Sequence, residues 1–296
     1  MAITAALVKE LRERTGSGMM ECKKALVDAN GDMETAIEAL RKAGMAKADK
    51  KASRVAAEGL VVIELSDDAK TAALVEVNCE TDFVAKKDEF KEFASAIAKR
   101  VLANDPEDID ALLALPLTDA AATSIEDTRK GLIAKIGENI TVRRFVRIES
   151  SNPLATYSHG ARIGVVVDYS GGDAGLGKDL AMHIAAHDPR PVCVSEDEVP
   201  VELVAGERQI FTAQARESGK PDNIIEKMIE GRIRKFLSEI TLLGQGFVKD
   251  PDTTIDKLLK EADAMVTRFE RMELGEGIEK KSENFADEVM AQVKGG

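Results

Sequence analysis

The run Gly172-Asp173-Ala174-Gly175-Leu176-Gly177-Lys178 has the spacing of a phosphate-binding loop, a glycine-rich turn between a strand and a helix whose amides cradle phosphates. The next residue of such a loop must be Ser or Thr, because its hydroxyl ligates magnesium. Here it is Asp179, and a carboxylate beside the phosphates repels them. Glycine-rich strand-to-helix turns are common, so a plain connecting loop is expected. His183 and His187 are spaced i,i+4 and could present two imidazoles to a metal from one helix. The HExxH pattern has Glu second where this chain has Ile184, and no third ligand is evident, so an ordinary helix-surface or half-buried pair is expected. Three histidines in all, and no G-x-S-x-G turn, leave no nucleophilic triad. Cys22, Cys79 and Cys193 are odd in number and form no C-x-x-C pair, the pattern of reduced cytosolic thiols rather than a disulfide framework or zinc site. No catalytic residue, cofactor or metal is therefore expected, and the chain reads as a non-enzymatic binding protein.

Charge narrows the partners. The net charge is -12 and no long basic block interrupts the acidic surface, so direct nucleic-acid binding, which counterion release drives, is not expected. Residues 1–55 carry 11 Lys plus Arg against 8 Asp plus Glu, leaving the remainder at -15. A basic head on an acidic body suits docking on another protein. The N-terminus lacks a signal-peptide core and nowhere do ~18 apolar residues run together, so a cytoplasmic protein that neither enters nor crosses a membrane is expected.

The elements that must carry these surfaces follow from periodicity. At 296 residues, two main bodies with appendages are expected, with aliphatic, helix-rich cores because aromatics make up only 4%. Residues 4–44 read as three short helices: Thr4 caps the first, Thr15-Gly16 ends it, Asn30-Gly31 stops the second, Asp32 caps the third and Gly44 closes it. Residues 47–54 read as a charged, Ala-rich linker or lone helix. The β-branched runs 59–65 and 72–77 suggest a hairpin, followed by a long helix over 82–103, another over 124–136 and a strand over 139–148. The second half repeats this plan, with a hairpin around His159-Gly160, a helix over 176–186 and a last strand over 264–273. Between that helix and strand, Val201, Val204, Arg208, Phe211 and Ala215 step by three and four, as do Ile229, Ile233, Phe236, Ile240 and Leu243. Such seams predict an antiparallel coiled-coil hairpin broken at Gly219-Lys220-Pro221. A short helix from Ser282 would present Phe285, Val289 and Val293. The expected class is α+β: a three-helix module with linker (1–55), two related α+β subdomains (56–150 and 151–275, the second with the helical hairpin inserted at 199–243) and a C-terminal helical module (276–296).

Five segments carry a resemblance. Asn78-Cys79-Glu80-Thr81-Asp82-Phe83-Val84 is similar to the Asn-Cys-x-Thr-Asp-Phe-Val signature of the elongation factor Ts family. Leu11-Arg12-Glu13-Arg14-Thr15-Gly16-Ser17-Gly18-Met19-Met20-Glu21-Cys22-Lys23-Lys24-Ala25-Leu26 resembles its first helix and turn. Lys135-Ile136-Gly137-Glu138-Asn139-Ile140, His159-Gly160-Ala161-Arg162-Ile163-Gly164 and Gly275-Glu276-Gly277-Ile278-Glu279-Lys280 match further family segments in order. The resemblance implies a guanine-nucleotide exchange factor of translation elongation, partnered by the GTPase elongation factor Tu.

It also implies roles for residues. Thr81, Asp82, Phe83 and Val84 would form a wedge in which Phe83 intrudes among the partner's switch and magnesium-binding elements while Asp82 helps to displace the ion. From spacing alone, Phe83 is equally readable as a core anchor and Asp82 as a helix N-cap. Met19 and Met20 are consecutive, so at least one faces away from the bundle, and unbranched Met suits an adaptable contact. In the family this tip docks on the partner's nucleotide-binding domain. Arg12, Lys23 and Lys51 could steer toward an acidic partner or be solvated charges. His159 matches a family contact residue, with a satisfied turn histidine as the alternative. The helical hairpin could pack only on itself, or serve a homodimer or the partner complex; a homodimer through the core stays open as well. The competing reading is a scaffold or holdase whose N-terminal module, which resembles ubiquitin-associated domains, binds peptides without exchange activity. A nucleotide-binding enzyme built on residues 172–178 ranks behind it.

Overall fold

The computed structural model describes residues 3–217 and 221–279. The helix expected from Ser282 lies outside them, as do Gly219 and Lys220 of the expected break. The chain opens with α1 (Ala5–Thr15), α2 (Met19–Asp28) and α3 (Met33–Lys51). Thr4 and Asp32 cap α1 and α3 through their side-chain oxygens, and Gly16 ends α1 in the left-handed conformation. Val8, Leu11, Cys22, Leu26 and Ala36 close a small core between the three helices.

Gly44 does not end α3, which continues to Lys51 and absorbs residues 47–51 of the stretch 47–54 read as a linker or lone helix. The seven residues after Gly44 are mostly Ala and Lys, good helix formers, and Ala48 is buried. A Cβ at position 44 would lie 3.0 Å from the Ala134 side chain, so the glycine serves close helix approach instead of a stop.

Two antiparallel sheets follow the same plan. In the first, β1 (Glu58–Leu65) and β2 (Thr71–Cys79) form a hairpin and β3 (Ile140–Glu149) returns beside β2. Between β2 and β3 run α4 (Asp82–Ala85), α5 (Asp88–Asn104), α6 (Ile109–Ala114) and α7 (Ile125–Ile136). The single helix expected over 82–103 is therefore two. Lys87 is extended (φ -70°, ψ 138°), and Asp88 and Glu89 open α5, where acidic side chains favour the helix dipole. Phe90, Phe93, Ile97 and Val101 of α5 pack on Val75 and Val77 of β2.

In the second, β4 (Ala155–His159) pairs with β5 (Ile163–Ser170), and α8 (Ala174–Ala186) covers that hairpin. Then come α9 (Val201–Arg216), α10 (Asp222–Ile240), the short strands β6 (Gly246–Phe247) and β7 (Asp250–Thr254), α11 (Ile255–Glu261) and β8 (Met265–Glu273), which closes the sheet beside β5. Each closing strand meets its neighbour with a register shift, at Glu76/Val77 and at Asp168/Tyr169. No spacing signal pointed to α6, α11 or the β6–β7 pair; each is shorter than the window in which periodicity is legible. Helices α9 and α10 pack along Val204, Phe211, Ala215, Ile225, Ile229, Ile233 and Leu237. Val201 and Arg208 of the expected seam are exposed, because α10 steps by four from Ile225 and turns its stripe away from them.

The sheets face each other through Val61, Leu74, Met272 and Leu274 at one end and Ala72, Ile148, Leu154 and Val166 at the other. The architecture is α+β. Among these side chains β2 places Glu76, which is 0% exposed. Its carboxylate accepts hydrogen bonds from the Gly275 amide (2.8 Å), Asn78 (3.0 Å), Arg143 (3.0 Å) and Arg144 (2.6 Å). Burial alone would raise its pKa, but these donors outweigh burial and hold it below the ordinary 4.5. Glu76 thus adds stability that is complete above that pH and is lost as pH falls through the lowered folded value. Glu76→Gln should cost about 2 kcal/mol at neutral pH. In thermal unfolding across pH, the gap between parent and variant should stay constant above about pH 4.5 and narrow below it.

Candidate functional site

Strand β2 ends at Cys79, and the chain turns through Glu80 and Thr81 into α4, a single turn of helix. Val84 and Ala85 take the inward face and join the core, 3% and 6% exposed. That leaves Phe83 pointing into solvent, 76% exposed. The core-anchor alternative for Phe83 is thereby excluded in this structure. Val84, placed in the expected contact set, instead anchors the tip from below. Thr81 is the N-cap, its hydroxyl accepting from the Val84 amide (3.4 Å), so Asp82 is the first helical residue and not the cap. Asp82 pairs with Lys86 at 2.6 Å, and this hydrogen bond holds its carboxyl below the ordinary carboxylate value. The Lys86 ammonium lies 5.9 Å from the Phe83 ring centroid. Acid, ring and ammonium form one exposed cluster.

Residues far away in sequence hold this cluster. Glu138 accepts from both donors of Thr81, its amide at 3.0 Å and its hydroxyl at 2.6 Å. The Cys79 thiol donates to the Thr81 carbonyl (3.1 Å). Burial and the nearby Glu138 carboxylate push the Cys79 pKa up to about 12, so the thiol keeps its proton. Asn139 donates from its amide to Glu80 (2.6 Å) and from its side chain to the Arg54 carbonyl (2.8 Å). No periodicity pointed to Glu138 or Asn139, since they stand more than fifty residues from the tip; the matched segment containing them was the one sign. Lys86 was legible as the i+4 partner of Asp82.

The other expected contact residues spread over separate surfaces. Met19 and Met20 open α2 and are 58% and 75% exposed, with Arg12 and Lys23 also exposed on the same module. Lys51 is not a free charge: it donates to the Gly137 carbonyl at 2.6 Å. Lys135 of α7 lies against the Gly16 turn on one side and pairs with Glu89 of α5 on the other, so the methionine-bearing module and the Phe83 tip flank the same end of α7. His159 ends β4, exposed, with Tyr157 OH 3.2 Å from its Nδ1. Beyond that turn Arg162 pairs with Glu58 and the Ala161 carbonyl accepts from Val61, tying the second sheet to β1.

The phosphate-loop lookalike is closed to an anion. Asp173 fills the start of α8 by accepting from the Leu176 amide (2.8 Å), and Asp179 pairs with Lys249 (2.6 Å). Gly171 is needed because a Cβ there would lie 2.0 Å from the Asp263 carbonyl oxygen. His183 is fully buried, not on the surface or half-buried. One ring nitrogen bonds Gln245 (3.0 Å), the other accepts from the Val248 amide (3.2 Å), and burial lowers its pKa to about 4. Among the described residues no group of three His, Cys, Asp or Glu could hold a metal ion, and no helix is long and apolar enough to cross a membrane.

The family model for elongation factor Ts matches residues 80–276, from the residue before Thr81 to the Glu276 beside the Glu76 network. The chain is 64% identical over 297 residues to elongation factor Ts of Thioalkalivibrio sulfidiphilus, covering 100% of both chains. Elongation factor Ts of Halorhodospira halophila (60% identical) and of Methylococcus capsulatus (59%) are each matched over 99% of both chains. The chain belongs to the elongation factor Ts family. Its role is thus that of a translation elongation factor in protein biosynthesis. These relatives extend the elongation factor Ts likeness over the N-terminal module, which the family model leaves out.

A thiol held protonated and enclosed under the elongation factor Ts signature should be inert. Iodoacetamide at pH 8 should leave Cys79 unmodified in the folded chain and alkylate it once urea unfolds the protein, as read by peptide mass.

Proposed function

We propose that the chain is a guanine-nucleotide exchange factor that binds elongation factor Tu carrying GDP, in the cytoplasm, and promotes GDP release by disturbing the magnesium and phosphate site. The observation that carries this reading is Phe83, an aromatic ring 76% exposed on a tip whose neighbours Val84 and Ala85 are buried. An exposed ring gains little for the fold by facing water, and its position costs burial of an apolar side chain. It is a surface whose energetic return comes from a partner.

A GTPase grips its nucleotide chiefly through the phosphate loop and magnesium, so shifting either weakens the complex. Phe83 inserts between those elements, and Asp82, beside it on the same turn, brings a carboxylate toward the ion. Thr81 and Val84 fix the backbone that carries both. The pair with Lys86 lies in solvent, where water screens it, so Asp82 can exchange it for a better partner. Binding energy made elsewhere offsets the disruption. Met19 and Met20, flanked by Arg12 and Lys23, supply one surface, and His159 a second on the other sheet. No covalent bond is made or broken, so the factor is not an enzyme in the chemical sense.

Release of fluorescent GDP from elongation factor Tu, with and without the chain, tests the reading. Strong acceleration is expected. A stable complex that retains its nucleotide would point instead to a scaffold acting through the three-helix module. Phe83→Ala should reduce the acceleration by about tenfold or more, the loss of one buried aromatic contact in the complex. Its melting temperature should stay within about 2 °C of the parent, because the ring contributes little to the fold.

A further inference from the structure

Three consecutive residues after α7 fasten two parts of the molecule that are remote in sequence. Gly137, left-handed at φ 92°, ends α7 and offers its carbonyl to Lys51 at the end of α3. Glu138 takes both donors of Thr81. Asn139 reaches back to the Ala52 and Arg54 carbonyls just past α3, while its amide is held by Glu80. We propose that Glu138 is a positioning residue for the Thr81–Phe83 tip and that the turn 137–139 holds this tip in register with the N-terminal module. The proposal rests on the exchange reading for its functional consequence, though not for its structural one.

The argument starts from the length of α4. Four residues make one turn, far short of what sustains a helix alone, so its geometry must be imposed from outside. Val84 and Ala85 anchor it from below, and the Thr81 hydroxyl caps it from the front. A hydroxyl has one hydrogen. The Glu138 carboxylate takes it at 2.6 Å, which turns an oxygen lone pair toward the Val84 amide. The second carboxylate oxygen takes the Thr81 amide, so backbone and side chain are gripped together. Bonds to a carboxylate are the stronger class of hydrogen bond. Without Glu138 the hydroxyl is free to rotate and the cap on α4 is no longer directed. The tip then samples more orientations, and a ring that enters its narrow site only after the complex has formed through the other surfaces pays that entropy in the release step.

The same turn answers to α3. Lys51 and the carbonyls of residues 52 and 54 engage Gly137 and Asn139 on either side of Glu138, so a displacement of the end of α3 is felt at the grip on Thr81. Docking of the methionine-bearing module and placement of Phe83 are therefore coupled through three residues.

Full-length Glu138→Ala, Glu138→Gln and Lys51→Met variants test this by hydrogen–deuterium exchange on the free chain and by GDP-release kinetics. In Glu138→Ala, the amides of Val84 and Ala85, which bond to Thr81, should exchange about tenfold faster while those of α5 are unchanged. The maximal release rate should fall about tenfold at an unchanged half-saturating concentration of the factor. Glu138→Gln, which keeps one acceptor oxygen, should recover part of both. Lys51→Met should speed exchange of the same amides about threefold. Unchanged tip amides in Glu138→Ala would overturn the positioning role, as would a loss seen only in half-saturation or melting. Unchanged tip amides in Lys51→Met would overturn the coupling. Failure of the parent to release GDP would defeat the exchange reading alone, leaving the amide data to judge the clamp.

Discussion

A ring that faces water cannot be oriented by its own packing. Phe83 makes that the governing constraint of this chain: everything that fixes its direction must act through the backbone of a single helical turn. The structure meets the constraint from three sides, with Val84 and Ala85 sunk into the core beneath, the Cys79 thiol on the Thr81 carbonyl, and Glu138 on both Thr81 donors. Each hydrogen bond contributes about 1 kcal/mol, or somewhat more to a charged group, but they converge on one residue, and convergence gives rigidity that no single bond would.

That arrangement presumes a stable platform, which the two facing sheets provide. Their interface is mostly aliphatic, yet it encloses the Glu76 carboxylate with Arg143 and Arg144 around it. Buried ion pairs seldom add net stability over an apolar replacement. Here the carboxylate also binds the Gly275 amide, and Arg143 and Arg144 reach Glu276, so the charges specify where the end of β8 meets the first sheet. The cost of burial goes into registering one sheet against the other, and His159 and Phe83 thereby keep a defined separation on one body.

Long elements with regular spacing were legible. The α5 stripe of Phe90, Phe93, Ile97 and Val101, the α1 and α3 caps at Thr4 and Asp32, and the hairpin strands all stand where periodicity and capping chemistry put them. Errors fell where local preference met a tertiary demand. Gly44 looks like a helix stop until Ala134 is seen against it, and the Arg208 seam position turned outward because its partner helix chose a different stripe. Within the candidate site, the exposed Met19, Met20 and Phe83 could be suspected from residue type and position. Glu138 could not, since a hydrogen bond spanning 57 residues leaves no trace in spacing.

The unbroken run of α3 through Gly44 has a mechanical meaning. Nineteen residues of helix extend about 28 Å, seated on α7 from Arg41 onward. Arg41, Gly44 and Asp49 meet α7 at Asp127, Ala134 and Lys130, so the rod cannot swing about its Lys51 end without parting these contacts. A load taken by the small bundle at its head is therefore carried down the rod into α7, so the molecule reaches out with two hands set on one frame.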